Sequence, residues 1–305
     1  MRPAAPMTAI WPSAPTEYTS VLRRSGIRKD CVKETQMKIG LYASMFGKDD
    51  PPTLGSIESF IEYAYELKLD VIDLRGNRGF SSHDPEYLLG IKMRCLRYGL
   101  PIGYVASGGH FVGTDEELET KLQVTRRDAD VAAFLGAPLI RVFCGLPLED
   151  REEQRREIRC LQATCDYAAD LGVGVGLQNH PSTGDDVLRI IEETARDNFT
   201  LIMDTGQWVG SPARNNGVAD PNYDIYRFME QTAPHAAHVR AKFYKIDSGR
   251  EEWLDYERII GILRRVDFNG AVSVVFEGKD YNDCDDKEVV RRSVQHLREL
   301  LGRGA

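Results

Sequence analysis

The fold of this chain is decided by four apolar stretches in its second half, which read GVGLQNH at 174–180, LIMD at 201–204, AHVRAK at 237–242 and AVSVVFE at 271–277. Short apolar runs separated by helical patterns are typical of buried parallel strands. The polar residues within and after these runs need partners or a polar pocket, because an isolated buried charge is costly. The four stretches therefore predict strands whose carboxyl ends meet at a polar site.

The same alternation of strand and helix patterns extends over the chain from Met37 onward. Strands are predicted at residues 39–44, 71–74, 102–107, 139–144, 173–179, 200–204, 237–244 and 271–277. Thr114 and Glu117 form a capping-box pattern at the start of a helix, after a predicted Gly108-Gly109-His110 loop. Eight strand–helix units in about 265 residues predict the α/β class and one (β/α)8 TIM barrel domain over residues 37–305. An open doubly wound sheet is the alternative, but no glycine-rich dinucleotide motif follows the first strand.

The first 36 residues differ from the rest in composition. Pro, Ala, Ser and Thr dominate up to Ser20, and basic residues follow. No continuous apolar run of the kind found in secretory signals is present. We predict that residues 1–36 form a flexible N-terminal extension that is separate from the barrel.

The composition limits the class of partner. The net charge of −8 argues against nucleic acid and against an anionic membrane surface, both of which bind basic faces. The sequence contains no apolar run near the roughly 18–20 residues that span a bilayer. Six scattered cysteines without a CxxC pair indicate reduced thiols. A cytoplasmic location is the expectation.

Residues at the predicted strand ends carry the candidate chemistry. Alternation along a strand places Gln178 and His180 on one face, and Arg240 and Lys242 likewise share a face. Asp204 and Glu277 together carry two negative charges, which suits one divalent metal held by oxygen ligands. The alternative is that these carboxylates form salt bridges to the two cations without a metal.

These residues resemble the xylose isomerase-like, sugar phosphate isomerase/epimerase superfamily of TIM barrels. The resemblance covers residues 37 to 301 and rests on Gln178-Asn179-His180, Met203-Asp204-Thr205-Gly206, residues 239–243 and Phe276-Glu277. It implies an isomerase or epimerase that acts on a sugar or polyol derivative by metal-assisted proton abstraction next to a carbonyl. It also implies a divalent ion (Mn, Mg, Co or Zn) held by Glu, Asp, His and Glu from strands 5 to 8.

Two positions depart from that family pattern. Gln178 stands where the first Glu is expected, and Arg240 stands where the His is expected. An amide oxygen still binds metals but has no exchangeable proton near neutral pH, and a guanidinium stays protonated and cannot ligate. We therefore predict Gln178, Asp204 and Glu277 as the remaining metal ligands. His180 and Glu277 are the predicted catalytic acid/base residues.

The other predicted site residues bind substrate: His110, Arg141, Gln207, Trp208, Arg240 and Lys242. Several of these side chains have a simpler explanation. His110 can be an exposed loop residue, Arg141 a paired interior cation, and Trp208 a residue that closes its loop. His180 can cap backbone groups before Pro181, and His238 is expected to be a hydrogen-bonded interior residue.

Three functions stay open at this stage. A sugar isomerase or epimerase is the first, and a lyase of the same fold (a sugar dehydratase or deglycosidase) is the second. The third is a metal-free, non-catalytic binding paralogue. The expected partners are a small-molecule sugar and, as the resemblance implies, further copies of this chain in a homo-oligomer.

Overall fold

In the computed structural model of the chain, eight parallel strands close into a barrel in sequence order. The structure describes residues 36–44, 46, 55–76, 79–143, 150–277 and 281–303. The strands are β1 (Lys38–Tyr42), β2 (Val71–Arg75), β3 (Ile102–His110), β4 (Leu139–Phe143), β5 (Gly174–Gln178), β6 (Phe199–Asp204), β7 (Ala236–Phe243) and β8 (Ala271–Phe276). Pairing of β1 with both β2 and β8 closes the barrel. This confirms the predicted (β/α)8 architecture.

A helix follows each strand, and together they cover the outside of the barrel. The helices are α1 (Ile57–Glu66), α2 (Pro85–Tyr98), α3 (Asp115–Leu135), α4 (Arg151–Asp170), α5 (Gly184–Thr194), α6 (Ile225–Thr232), α7 (Tyr256–Arg265) and α8 (Asp286–Leu300). The capping box predicted at α3 is present, with the Thr114 hydroxyl accepting from the Glu117 amide. Across the described ranges, no helix is long and apolar enough to cross a membrane. The extension predicted at residues 1–36 lies outside the described residues, except for Gln36.

Strand β3 is longer than predicted. The Gly108-Gly109-His110 segment was expected to form a loop, but β3 extends to His110, which pairs with Phe143 of β4. The register shifts between Ala106 and His110, an irregularity that accommodates the glycine pair without ending the strand. Side-chain patterning cannot reveal this extension, because glycine has no side chain.

A polar cluster lies inside the barrel, below the strand ends. His238 Nε2 lies 3.0 Å from Asp73 Oδ2 and 2.9 Å from Ser273 Oγ, and all three residues are buried. The Tyr104 ring packs edge-on against the imidazole at 4.9 Å between ring centroids. This arrangement agrees with the expectation that His238 is a hydrogen-bonded interior residue.

Gly103 on β3 makes room for this cluster, so Gly103→Ala is expected to lower the free energy of unfolding. A Cβ atom at this position would lie 2.4 Å from Asp73 Oδ1 and 2.8 Å from His238 Cε1. The expected loss is about 1–3 kcal/mol, measured by denaturant unfolding, because buried groups must move to relieve the overlap.

The matched control is Gly90→Ala on the exposed side of α2, where an added Cβ would meet nothing within 4 Å. That substitution is expected to stabilise the protein by roughly 0.5–1 kcal/mol, because alanine favours helix interiors. Equal effects of the two substitutions would contradict the packing account of Gly103.

Candidate active site

The carboxyl ends of the strands open onto a cavity of about 600 Å³. Eight residues predicted from the sequence line it: His110, Arg141, Gln178, His180, Gln207, Arg240, Lys242 and Glu277. They come from β3, β4, β5 and β7 and from the segments that follow β5, β6 and β8. The barrel therefore brings together most of the predicted site.

Two predicted site residues are not part of the cavity lining. Asp204 is fully buried beneath it and contacts three residues that do line it, Gln178, Arg240 and Lys242. Trp208 is also fully buried, with its ring 5.9 Å from that of Phe228 and a bridge to Ser182. The segment after β6 folds back onto the one after β5, so Trp208 closes this loop and does not face the substrate space. This burial matches the alternative that Trp208 closes its loop, and its contact with substrate stays a prediction.

The Asp204 carboxylate is fully engaged by neighbouring donors. Oδ2 accepts from Gln178 Nε2 at 2.8 Å and from Arg240 Nε at 3.1 Å, and Lys242 Nζ lies 3.5 Å away. Oδ1 accepts from the backbone amide of Gly206 at 3.1 Å. This buried charge is thus paired and hydrogen-bonded, which burial requires.

Arg141 determines the orientation of the Gln178 amide. Arg141 Nη1 donates to Gln178 Oε1 at 2.9 Å, and Nη2 donates to the carbonyl of Ser107 at 3.3 Å. The guanidinium also lies 4.0 Å from the centre of the Phe143 ring. A flipped amide would point its NH₂ at a guanidinium and its oxygen at Asp204, so the hydrogen-bond partners fix the amide as described.

Arg240 lies at the centre of the site and bridges it to the barrel interior. Its Nη1 donates to the Tyr104 hydroxyl, and its guanidinium stacks 4.3 Å from the centre of the Tyr42 ring. With Nε on Asp204, the side chain is held by a carboxylate, a phenol and an aromatic face. Such a site suits a planar, permanently charged group.

The three predicted metal ligands do not fit a divalent ion in this arrangement. Two cations share Asp204 Oδ2, Arg141 holds the amide oxygen of Gln178, and Lys242 forms an ion pair with Glu277. In the part of the chain that the structure describes, no group of three or more His, Cys, Asp or Glu side chains is placed to hold a metal. A divalent ion would have to displace two protonated side chains, and the contacts match the salt-bridge alternative.

His180 is a half-buried residue of the cavity wall, edge-on to Phe143 at 5.4 Å. Burial lowers the pKa of His180 below its usual 6.5, Asp204 opposes this shift, and the charges of Arg214 and Lys242 add to it. The imidazole is therefore neutral at pH 7 and can accept a proton. Burial also lowers the pKa of His110.

Glu277 follows β8 at the cavity wall, and its side chain is 39% exposed. Burial alone would raise the pKa of Glu277, but Lys242, Arg240 and His180 together hold it below the usual range. Glu277 is consequently an ionised carboxylate at neutral pH, able to accept a proton but poorly suited to donate one.

Several residues that line the cavity were not predicted from the sequence: Tyr42, Ser44, Ser107 and Phe143. Tyr42 is the last residue of β1. Its position at a strand end could have identified it, in the same way that the end of β2 pointed to Arg75 as a weaker candidate for a substrate contact. Tyr104 carries no such signal, because it lies inside β3 and only the closed barrel brings it to Arg240.

The protein is a (β/α)8 barrel whose polar cavity lies at the C-terminal ends of the strands, where barrel enzymes carry their active sites. The family described as xylose isomerase-like TIM barrel matches residues 61–300. The chain belongs to this family.

Solved structures with the same fold include proteins named as sugar epimerases. A D-psicose 3-epimerase from Clostridium cellulolyticum H10, solved with D-tagatose, is 15% identical with a TM-score of 0.68, covering 87% of this chain and 99% of that one. A 3-keto-D-glucoside 4-epimerase from E. coli is 18% identical with a TM-score of 0.65, covering 87% and 99%. A xylose isomerase domain protein from Planctomyces limnophilus is 15% identical with a TM-score of 0.68, covering 87% and 97%. No curated protein matches the sequence significantly.

Proposed function

We propose that this protein is an isomerase or epimerase of a sugar or polyol derivative, in which His180 removes a proton from the carbon next to a carbonyl group. The observation that carries the proposal is a neutral imidazole in the same cavity as Lys242 and Arg240. A base and a cation facing one small space can act on adjacent atoms of one substrate. The family and the sugar epimerases of the same fold support the same class.

The reaction proceeds through an oxyanion. His180 takes the proton, the electron pair of the C–H bond forms a C=C bond, and the π pair of the carbonyl moves to its oxygen, which becomes an enediolate oxygen. Lys242 and Arg240 stabilise that negative charge, and preorganised charges of this kind supply a large share of catalysis. The proposed reaction uses no metal at Gln178, Asp204 and Glu277, because these groups already bind cations or hydrogen-bond donors.

The ionisation state of Glu277 favours isomerisation over epimerisation. Epimerisation needs a second group that returns a proton from the opposite face of the carbon, and the lowered pKa of Glu277 makes this carboxylate a weak donor. In isomerisation the protonated His180 can exchange its proton with solvent and return one to the neighbouring carbon, while the hydroxyl proton moves between the two oxygens of the enediolate. A lyase is the second candidate, since protonated His180 can equally assist the departure of a hydroxyl group from the enediolate.

The remaining expectations belong to the same proposal. The substrate is a small-molecule sugar derivative, and the protein works in the cytoplasm. Assembly into a homo-oligomer stays a prediction from the family resemblance.

Deuterium exchange from solvent tests this function. The protein is incubated in D₂O with D-fructose, D-ribulose, D-xylulose, fructose 6-phosphate and 5-keto-D-gluconate, with and without a chelator, and the C–H next to the carbonyl is followed by proton NMR. We expect exchange into at least one compound at a rate that the chelator leaves unchanged.

Each other outcome has a defined meaning. Loss of exchange in chelator would contradict the conclusion that the site does not fit a metal. Formation of a dehydrated product would identify a lyase. Absence of exchange into every compound would contradict the catalytic proposal and favour the binding paralogue.

A further inference from the structure

We propose that the cavity selects an anionic substrate, a sugar acid or sugar phosphate whose negative group binds the cavity arginines. The inference rests on the proposed function for the sugar part of the ligand. Its basis is the excess of positive charge in the cavity wall and the N–H donors of the cavity cations that remain available to a ligand.

Positive charge exceeds negative charge at this site. Among the described residues, four cations line the cavity (Arg75, Arg141, Arg240 and Lys242), against the Glu277 carboxylate in the wall and two buried carboxylates behind it, Asp204 and Asp128, the latter bonded to Ser107. Four cations against three carboxylates leave one positive charge in excess, whereas the whole chain has a net charge of −8. A concave site with low-dielectric walls concentrates such a field and attracts ligands of opposite sign.

Among the described residues, the ion pairs and hydrogen bonds at the floor of the site do not engage every N–H group of these cations. Within the described residues, Arg240 donates through Nε to Asp204 and through Nη1 to Tyr104, so Nη2 remains for a ligand. Arg141 is 7% exposed and lines the cavity, but it donates through both Nη atoms, and its Nε is buried without an acceptor among the described residues. Within the same residues, Arg75 donates through Nη1 to the carbonyl of Ser44 at 3.3 Å, which leaves its other N–H groups for a ligand.

Acceptors among the described lining side chains are partly occupied. Gln207 Oε1 accepts from Arg214 at 2.7 Å, and Gln178 Oε1 accepts from Arg141. Acceptor capacity for hydroxyl groups remains on Glu277, His180, His110, Tyr42 and Ser44. A hydroxyl group both donates and accepts, whereas a carboxylate or phosphate only accepts and also carries a negative charge. The excess of cationic donors is therefore complementary to an anion.

A second cationic position lies at the rim. A smaller pocket of about 300 Å³ adjoins the main cavity, sharing Gln207 and Glu277 with it, and Arg214 and Tyr281 form part of its wall. A carboxylate beside the reacting carbon would lie at the floor, near Arg240. A phosphate at the far end of the sugar would lie nearer the rim. Carboxylate and phosphate are both anions that accept hydrogen bonds from arginine, and binding of matched ligand pairs distinguishes between them.

Binding of two matched ligand pairs tests the proposal, with ionic strength balanced by NaCl. The first pair is D-gluconate and D-glucitol, and the second is fructose 6-phosphate and D-fructose. Calorimetric titration of the full chain is expected to show at least about tenfold tighter binding of the anion in one pair or both, equivalent to about 1.4 kcal/mol. An advantage confined to gluconate assigns a carboxylate, and one confined to fructose 6-phosphate assigns a phosphate.

Two arginine variants locate the effect. Arg75→Gln removes one cavity cation and is expected to reduce the anion advantage by about threefold or more, whereas Arg155→Gln on the exposed face of α4 leaves it unchanged. An anion advantage below about threefold in both pairs, or an advantage that Arg75→Gln leaves intact, overturns the proposal.

The two proposals fail separately. Neutral ketoses that exchange deuterium and bind as tightly as the anions would overturn the anion selectivity and keep the catalytic function. Selective anion binding without deuterium exchange would support the anion selectivity and contradict the catalytic function.

Discussion

His180→Gln is expected to lower the turnover rate by about 10²- to 10⁴-fold, the usual contribution of a positioned general base. Glutamine keeps a polar side chain of similar length but cannot take up a proton near neutral pH. The rate is measured as deuterium exchange into whichever compound the protein accepts. Substrate binding, followed by titration, is expected to change far less than turnover, because the imidazole acts in the proton transfer.

The pH profile separates a base from a merely structural histidine. Because the base must be neutral, wild-type turnover is expected to rise with pH through a pKa below 6.5 and then level off, in line with the lowered pKa of His180. His180→Gln should lose this rise. His110→Gln is the matched control, since His110 lines the same cavity with a similarly lowered pKa. If His110→Gln loses the rise and His180→Gln keeps it, the roles of the two residues are exchanged.

Arg240→Met is expected to lower both stability and turnover. The substitution leaves the fully buried Asp204 with Lys242 Nζ at 3.5 Å as its remaining cation, so the loss is expected to be below the roughly 3–5 kcal/mol that breaking a lone buried pair costs. Turnover is expected to fall by about 10²- to 10³-fold, as when one oxyanion donor is lost. Denaturant unfolding and deuterium exchange measure the two effects.

A double variant separates these consequences of losing Arg240. In Arg240→Met/Asp204→Asn the buried carboxylate that lost its guanidinium partner is gone, so most of the stability is expected to return while turnover stays low. Arg265→Met, which breaks the exposed pair with Glu230, serves as the surface control and should cost at most about 1 kcal/mol. Recovery of turnover in the double variant would contradict the role of Arg240 in stabilising the oxyanion.

The sequence was informative about the barrel because its signal is local. Each strand is a short apolar run, each helix has its own apolar face, and the strand ends expose the residues that cannot be buried alone. Gln178, His180, Arg240, Lys242 and Glu277 were all found in this way, and all five line the cavity.

What the sequence could not reveal depends on contacts between side chains of different strands. The contact between Arg240 and Tyr104 joins β7 to β3, and the contact between Arg141 and Gln178 joins β4 to β5. The choice between the two interpretations of Trp208 depends on how the loop after β6 folds onto Ser182. Asp73 lies within a strand that otherwise reads as apolar, and its partner His238 is 165 residues away.

The hydrogen bonds around Arg240 and Gln178 limit what substitutions at these two positions could achieve. Gln178→Glu and Arg240→His would install the residue types that the resemblance implies for a metal site, but they would leave the Tyr104 hydroxyl without the guanidinium it contacts. Arg141 would then face a carboxylate and compete with any incoming ion for it. A change at positions 178 and 240 alone is therefore not expected to produce a metal centre, because Arg141 and Tyr104 are matched to the residues present.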